Sequence, residues 1–245
     1  MTTDRVEFQP IPKFDLTEPQ RETLRQTLIW TKAFFENVPE GTHIGGHGFD
    51  KTMRQAGTAA HLSQMENHPV FLPTLTAVVM DVGRASQDPR SRSYQHGELS
   101  REMIIPLLDS LEILTPDEKE LISNAVEDHP KMNENVRRNF VVEIAMDADR
   151  LDCLGALGPL RAASWRPNIP LILPEEIDTR SADADTDIMT IWQDMTVRQM
   201  EWVNMLWTQS AREVVRPRVV AYRAYLEELR LETSFMYQAY KNLGL

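Results

Sequence analysis

Two carboxylates sit where carboxylates are costly. Asp81 follows the run Leu75–Met80, broken only by Thr76, and precedes Val82. Asp149 follows Ile144-Ala145-Met146-Asp147-Ala148 and precedes Leu151. Burying an unpaired carboxylate costs several kcal/mol, so each needs a cation, a metal or a set of donors. Either carboxylate taken alone is explained equally well by emergence at a helix end or by pairing with the neighbouring Arg84 or Arg150. Two together point to a shared cation site. The histidines are the second group: His43, His47, His61, His68, His96 and His129. His61 and His68 lie in a polar helix end and loop and read as structural or solvated. His96 falls at a helix start, and His129 falls at a helix end just before Pro130. Neutral imidazole is the commonest metal ligand, and positions beside loops reach pockets, although a single His there is ordinarily a cap or surface residue.

The elements that must carry these residues are helical. Thr17 and Gln20 form a capping box, Pro19 lies in the first turn, and Leu24, Leu28, Phe34 and Phe35 supply an apolar face. Thr42–Gly48 is a glycine-rich loop, followed by a helix over Phe49–Met65. Pro73 opens a short apolar helix over Thr74–Val82, and 85–94 is a polar loop. Helices are predicted over Gln95–Leu111, over Pro116–Asp128 with Thr115 and Glu118 as its capping box, and over Phe140–Ala163. Residues 164–187 are proline-rich, then acidic, and read as a surface excursion that either covers a pocket or is a plain loop. Two helices close the chain over Asp187–Leu206 and Gln209–Asn242, with Pro217 kinking or interrupting the last. Residues 1–16 form an extended arm containing Pro10 and Pro12. There is no strand alternation, no repeat and no linker, so the expectation is one all-α domain over 1–245.

Composition narrows the partners. The chain has 245 residues, with 37 acidic and 26 basic side chains and a net charge of −11, which disfavours generic nucleic-acid binding. Cys153 is the single cysteine, so neither an intramolecular disulfide nor a cysteine-based zinc site can form. No apolar stretch approaches the roughly 18 residues of a membrane span. The N-terminus lacks a signal-peptide layout, so a soluble cytoplasmic protein is expected. Trp192, Trp202, Trp207, Tyr222 and Tyr225 in the last helices serve either as internal core or as a homodimer face.

The motifs together resemble the HD-domain superfamily of metal-dependent phosphohydrolases. The chain reads G-H-G-F-D-K-T-M-R-Q at 46–55, A-V-V-M-D-V-G-R at 77–84, Q-H-G-E-L-S at 95–100, E-D-H-P at 127–130 and D-A-D-R-L-D-C-L-G-A-L-G-P-L-R at 147–161. A subgroup of the family shows S-H-G-Y-D-H-T-x-R-V, A-A-L-L-H-D-I-G-R, C-H-A-E-x-S, a later His and D-A-D-R-L-D-A-x-G-A-x-G-x-x-R in the same order. The segment L-W-T-Q-S-A-R-E-V-V-R-P-R also looks like that subgroup's closing helix, so the resemblance spans roughly 20–230.

The resemblance implies a core metal held at the positions of Lys51, Met80, Asp81 and Asp149, two of which cannot ligate it. An ammonium only donates, and a thioether is a poor partner for Mn²⁺, Mg²⁺ or Zn²⁺. The usual metal is therefore not expected. Lys51 is expected instead to neutralise Asp81 and Asp149, the three forming the catalytic cluster. The family's second-ion ligands correspond to His96, His129 and Asp81, which leaves room for one divalent ion (iron, manganese or zinc) at a shifted site. His47 and Arg84 match positions that orient an anionic group, and Arg90 and Arg92 read as solvated surface. The implied ligand is a small phosphorylated or anionic metabolite. Three readings stay open: a modified phosphohydrolase with one shifted ion, a metal-free enzyme using Lys51 as base or Schiff-base nucleophile, and an inactive pseudoenzyme that binds a ligand or partner.

Overall fold

The computed structural model describes residues 14–40, 44–92, 94–131, 135–165, 167–173 and 190–244. His43 and most of the extended arm lie outside this set. The described residues form helices and turns only: α1 Glu18–Glu36, α2 Phe49–Met65, α3 Phe71–Val79, α4 His96–Ser110, α5 Pro116–Asp128, α6 Phe140–Asp152, α7 Gly158–Trp165, α8 Ile191–Gln193, α9 Gln199–Asn204 and α10 Gln209–Asn242. No helix of the described residues is long and apolar enough to cross a membrane.

Local chemistry sets the boundaries. Thr17 and Thr115 each cap their helix reciprocally with Gln20 and Glu118. The Asn139 side chain accepts from the Val141 and Val142 amides at 3.0 and 3.2 Å and starts α6. α3 begins at Phe71, three residues before the expected start, because Pro73 fits inside a first turn whose N–H groups need no helical partner. It ends at Val79, short of the expected Val82; Val82–Ala85 forms a tight 3₁₀ turn, and Pro89–Arg92 forms a second one within the 85–94 segment expected to be a polar loop.

The single helix expected over Phe140–Ala163 is two helices. α6 stops at Asp152, Gly155 takes φ +84°, and Pro159 stands in the first turn of α7. The apolar periodicity runs through this break, but the Gly155–Pro159 segment turns the chain. The helix expected over Asp187–Leu206 is also divided, into α8, a π-helical turn Asp194–Arg198 and α9; residues 187–189 lie outside the described set. α10 passes Pro217 without interruption, and Pro217 lies on its exposed face.

α3 is the central element. All of Phe71–Val79 is buried, and the helix packs against α1, α2, α5 and α6. Leu75, Val78 and Val79 join Ile104, Ile122, Val126 and Val142 in the largest apolar cluster. Each such side chain contributes about 1.5–3 kcal/mol on burial. A second cluster, with Leu62, Ile144, Leu151, Leu206 and Val215, ties α2 and α6 to α10. Asp147 reinforces that tie: its carboxylate accepts from the Trp207 amide at 3.1 Å and the Thr208 amide and hydroxyl at 2.8 Å, ahead of α10. A third cluster joins Trp192, Met195, Tyr222 and Leu226. Tyr222 and Trp192 are therefore internal, whereas Tyr225 is exposed. Ile172 belongs to this cluster too and Ile169 packs against it, which anchors an otherwise largely exposed 164–173 stretch; 174–187 lie outside the described residues.

α4 approaches α5 closely through Gly97. A Cβ there would collide with the Glu127 carbonyl oxygen and lie 2.8 Å from the Pro130 ring. That contact sets the spacing between His96 on α4 and His129 at the end of α5. Gly97→Ala is expected to cost about 1–3 kcal/mol by overpacking, read as a lower midpoint in urea unfolding.

Candidate metal centre and ion-paired cluster

Three elements bring the cluster together: α2 supplies Lys51, the end of α3 delivers Asp81, and α6 supplies Asp149. The Lys51 ammonium pairs with Asp81 Oδ2 and lies 2.7 Å from Asp149 Oδ1. Lys51 and Asp81 are 1% and 3% exposed, and the Asp149 side chain is 27% exposed. Gln55, one turn after Lys51, donates from Nε2 to Asp149 Oδ1 at 2.7 Å and lies 3.4 Å from Met80 Sδ. Gln55 is a site residue that the sequence reading missed. Its signal was the four-residue spacing from Lys51, which puts both on one helix face.

Electrostatics agree with the geometry. Burial works to raise the pKa of Asp81, yet the Lys51 ammonium and the His129 ring outweigh it and hold the carboxyl well below its usual range. Asp149 has the same conflict between burial and Lys51, and settles at about 2. For Lys51 itself, burial lowers the pKa but Asp149 and Asp81 reverse the sign, leaving it raised. The amine is thus held as an ammonium. The pairing of Lys51 with two carboxylates weighs against the base and Schiff-base roles expected as one alternative, which require a neutral nitrogen.

The other Asp81 oxygen faces the histidines. Asp81 Oδ1 lies 3.6 Å from His96 Nε2 and 3.5 Å from His129 Nε2, and the two Nε2 atoms are 2.9 Å apart. All three side chains are buried. His129 Nδ1 donates to the Val126 carbonyl at 2.6 Å, which turns Nε2 toward its partners. Two imidazole nitrogens this close must share a proton or converge on a cation. Ligands bound at about 2.0–2.1 Å to one ion stand roughly 2.9–3.4 Å apart for octahedral or tetrahedral angles. The two nitrogens fall within that range and Asp81 Oδ1 lies 0.1–0.2 Å beyond it, so a small inward shift of the carboxylate would let this donor set close on a single first-row divalent ion. Lys51 and Met80 offer no comparable set on the other side of Asp81.

The remaining candidates lie beside the cluster. Arg84 Nε is 3.8 Å from Asp81 Oδ1, Nη1 donates to the Ser91 carbonyl at 2.9 Å, and the guanidinium stacks 4.9 Å over Trp165. The His47 ring meets the same Trp165 edge-on at 4.7 Å. His47 Nδ1 lies 2.8 Å from the Gly45 carbonyl, and Nε2 lies 3.3 Å from Arg161 Nη2. Burial, then the Lys51 and Arg161 charges, pushes the His47 pKa well down, so the ring is neutral and accepts from Arg161. Trp165 and Arg161 were also missed, Trp165 because it was counted in the 164–187 excursion. Arg161 further contacts Asp152 at 3.2 Å and Cys153 Sγ at 2.7 Å. Burial raises the Cys153 thiol to about 12, which makes it inert. Arg90 pairs on the surface with Asp88 and Glu102, and the Arg92 side chain lies outside the described residues. His61 is exposed, and His68 stacks 4.8 Å from Phe140.

Neither family models nor curated proteins return a match to this sequence. Solved structures do. A crystal structure from Lactobacillus plantarum superposes with a TM-score of 0.67 at 18% identity, over 88% of this chain and 97% of that one. An HD-superfamily hydrolase from Bacillus thuringiensis gives 0.64 at 17% identity, over 87% and 97%. The chain has a divergent HD-domain fold. Bacillus subtilis YpgQ in complex with ADP shares it, with a TM-score of 0.60 at 18% identity over 85% of this chain and 97% of that one. The pair that names the HD fold is Met80-Asp81 here, with Met80 fully buried.

Lys51→Met leaves two carboxylates facing each other without their cation and is expected to cost about 3–5 kcal/mol. The pH dependence has a definite sign. Carboxyls depressed in the folded state stabilise it fully above their unfolded value of about 3.9, and this contribution fades as pH falls through the folded values. Wild type is thus expected to lose stability below about pH 4, toward the Asp149 value of about 2. In Lys51→Met the carboxyl pKa values rise above the unfolded value, so that variant gains stability between pH 7 and 5. Urea unfolding of both proteins across this range checks the reversal.

Proposed function

We propose that this HD-fold chain is a phosphohydrolase-like enzyme with an altered metal site, acting on a small phosphorylated or anionic metabolite. The observation that carries the reading is the division of Asp81 between Lys51 on one oxygen and the His96–His129 pair on the other. In this reading Asp81, His96 and His129 hold one iron, manganese or zinc ion. When bound, such an ion supplies Lewis-acid polarisation of a phosphoryl oxygen. The Lys51 ammonium, fixed by Asp81 and Asp149, offers preorganised positive charge where the family's core metal would stand. Arg84 orients the anion, while His47, whose two ring nitrogens are taken by Gly45 and Arg161, holds Arg161 in place and packs with Arg84 against Trp165. The ADP carried by the Bacillus subtilis neighbour supports a phosphate-bearing ligand in this fold.

A second reading has its own observation. Lys51 already neutralises the carboxylates that a core metal would need, as in an inactive pseudoenzyme that binds a ligand or partner. Metal content separates the two. After growth with iron, manganese and zinc, elemental analysis of the purified protein is expected to find about one equivalent, lost in His96→Ala together with phosphoester hydrolysis. No metal under any supplement would contradict the enzyme reading and leave the binding module.

A further inference from the structure

The Asp149 carboxylate is divided as sharply as that of Asp81. Among the described residues, the hydrogen bond from Gln55 and the ion pair from Lys51 both fall on Oδ1, each at 2.7 Å. Lys51 and Asp81 are sealed, whereas the Asp149 side chain is 27% exposed. With Oδ1 occupied, Oδ2 is the acceptor that the cluster turns outward. In the family pattern this residue ligates the core metal, and with Lys51 in that place the oxygen is released for other use.

Resting on the anion-binding reading above, we infer that Asp149 Oδ2 accepts a hydrogen bond from a hydroxyl next to the ligand's phosphate, so that the site selects hydroxylated phosphate esters. The charge balance favours a neutral donor. Arg161 and Lys51 already act on Asp149, and the Arg84 guanidinium feels its charge as well. A ligand ammonium would enter among these three cations, while a hydroxyl donates without adding charge. Trp165, held against Arg84 and His47, gives the approach an aromatic wall that suits the C–H face of a polyol or sugar. Sugar phosphates are the natural members of this ligand class. Gln55 is a positioning residue here, because it fixes the carboxylate through Oδ1.

Three probes of nearly equal size test the assignment by calorimetric titration of the protein as purified: ethyl phosphate, 2-hydroxyethyl phosphate and 2-aminoethyl phosphate. The hydroxyethyl ester is expected to bind about tenfold more tightly than the ethyl ester, the effect of one hydrogen bond to a charged acceptor. The aminoethyl ester is expected to bind more weakly than the hydroxyethyl ester. In Asp149→Asn, where a donor replaces the outward acceptor, the ratio of hydroxyethyl to ethyl affinity is expected to fall to about one. Asp149→Glu keeps the charge for Lys51 but shifts the oxygen, and is expected to lose the advantage too. Equal affinity for the ethyl and hydroxyethyl esters, or an advantage that survives in either variant, overturns the assignment while leaving the anion site intact. A tighter aminoethyl ester overturns the hydroxyl class. Failure of all three esters to bind overturns the anion-binding reading and this assignment with it.

Discussion

Asp81 is a carboxylate with no solvent to turn to, and its two oxygens have two different partners. Oδ2 is taken by the Lys51 ammonium, and Oδ1 looks toward His96 and His129 at 3.6 and 3.5 Å. Burial at 3% exposure makes both sides obligatory. α3 must carry Asp81 inward, so its whole length is apolar and buried. α2 must present Lys51 and Gln55 on one face. α4 must come close enough to α5 for His96 and His129 to meet, and at Gly97 there is no room for a side chain. The packing of the bundle follows from placing one charged group in its centre.

An ammonium between two carboxylates can do less than a dication could there. Lysine carries one charge and no vacant orbital, so it can hold Asp81 and Asp149 apart from repulsion but cannot accept a lone pair. Its charge does not cancel both carboxylates, and the nearby Arg84 and Arg161 share the remainder. Whatever Lewis acidity the site has must come from the histidine side of Asp81. The D-A-D segment at 147–149 divides its labour in the same way. Asp149 joins the Lys51 cluster and is partly exposed, while Asp147 accepts from Trp207 and Thr208, joining α6 to α10. Burial leaves the Asp147 carboxyl raised despite those donors, a structural carboxylate with no part in the cluster.

Much of this was legible in the sequence because burial of a charge is legible. Asp81 and Asp149 stand out within apolar runs, and the capping residues Thr17 and Thr115 declare their helices. The all-α class and the HD-domain fold followed from the pattern and its motifs. What was not legible depends on contacts between distant segments. Gln55 and Arg161 are ordinary polar helix residues until α2 and α7 are placed beside α6. Trp165 looked like the edge of a surface loop because the turn at Gly155–Pro159 was read through, and with it the second helix that aims the indole at Arg84. The sign of the Lys51 pKa could not be read either, since burial and two carboxylates oppose each other and only their distances decide.

Lys51 lies between Asp81 and Asp149, and the group of side chains able to hold an ion lies on the histidine side of Asp81. Anomalous diffraction from crystals of the wild-type protein soaked in manganese or zinc addresses this arrangement directly. One peak is expected, bonded to Asp81, His96 and His129, with Lys51 still paired to Asp81 and Asp149. A peak between Asp81 and Asp149, with Lys51 displaced, would contradict it.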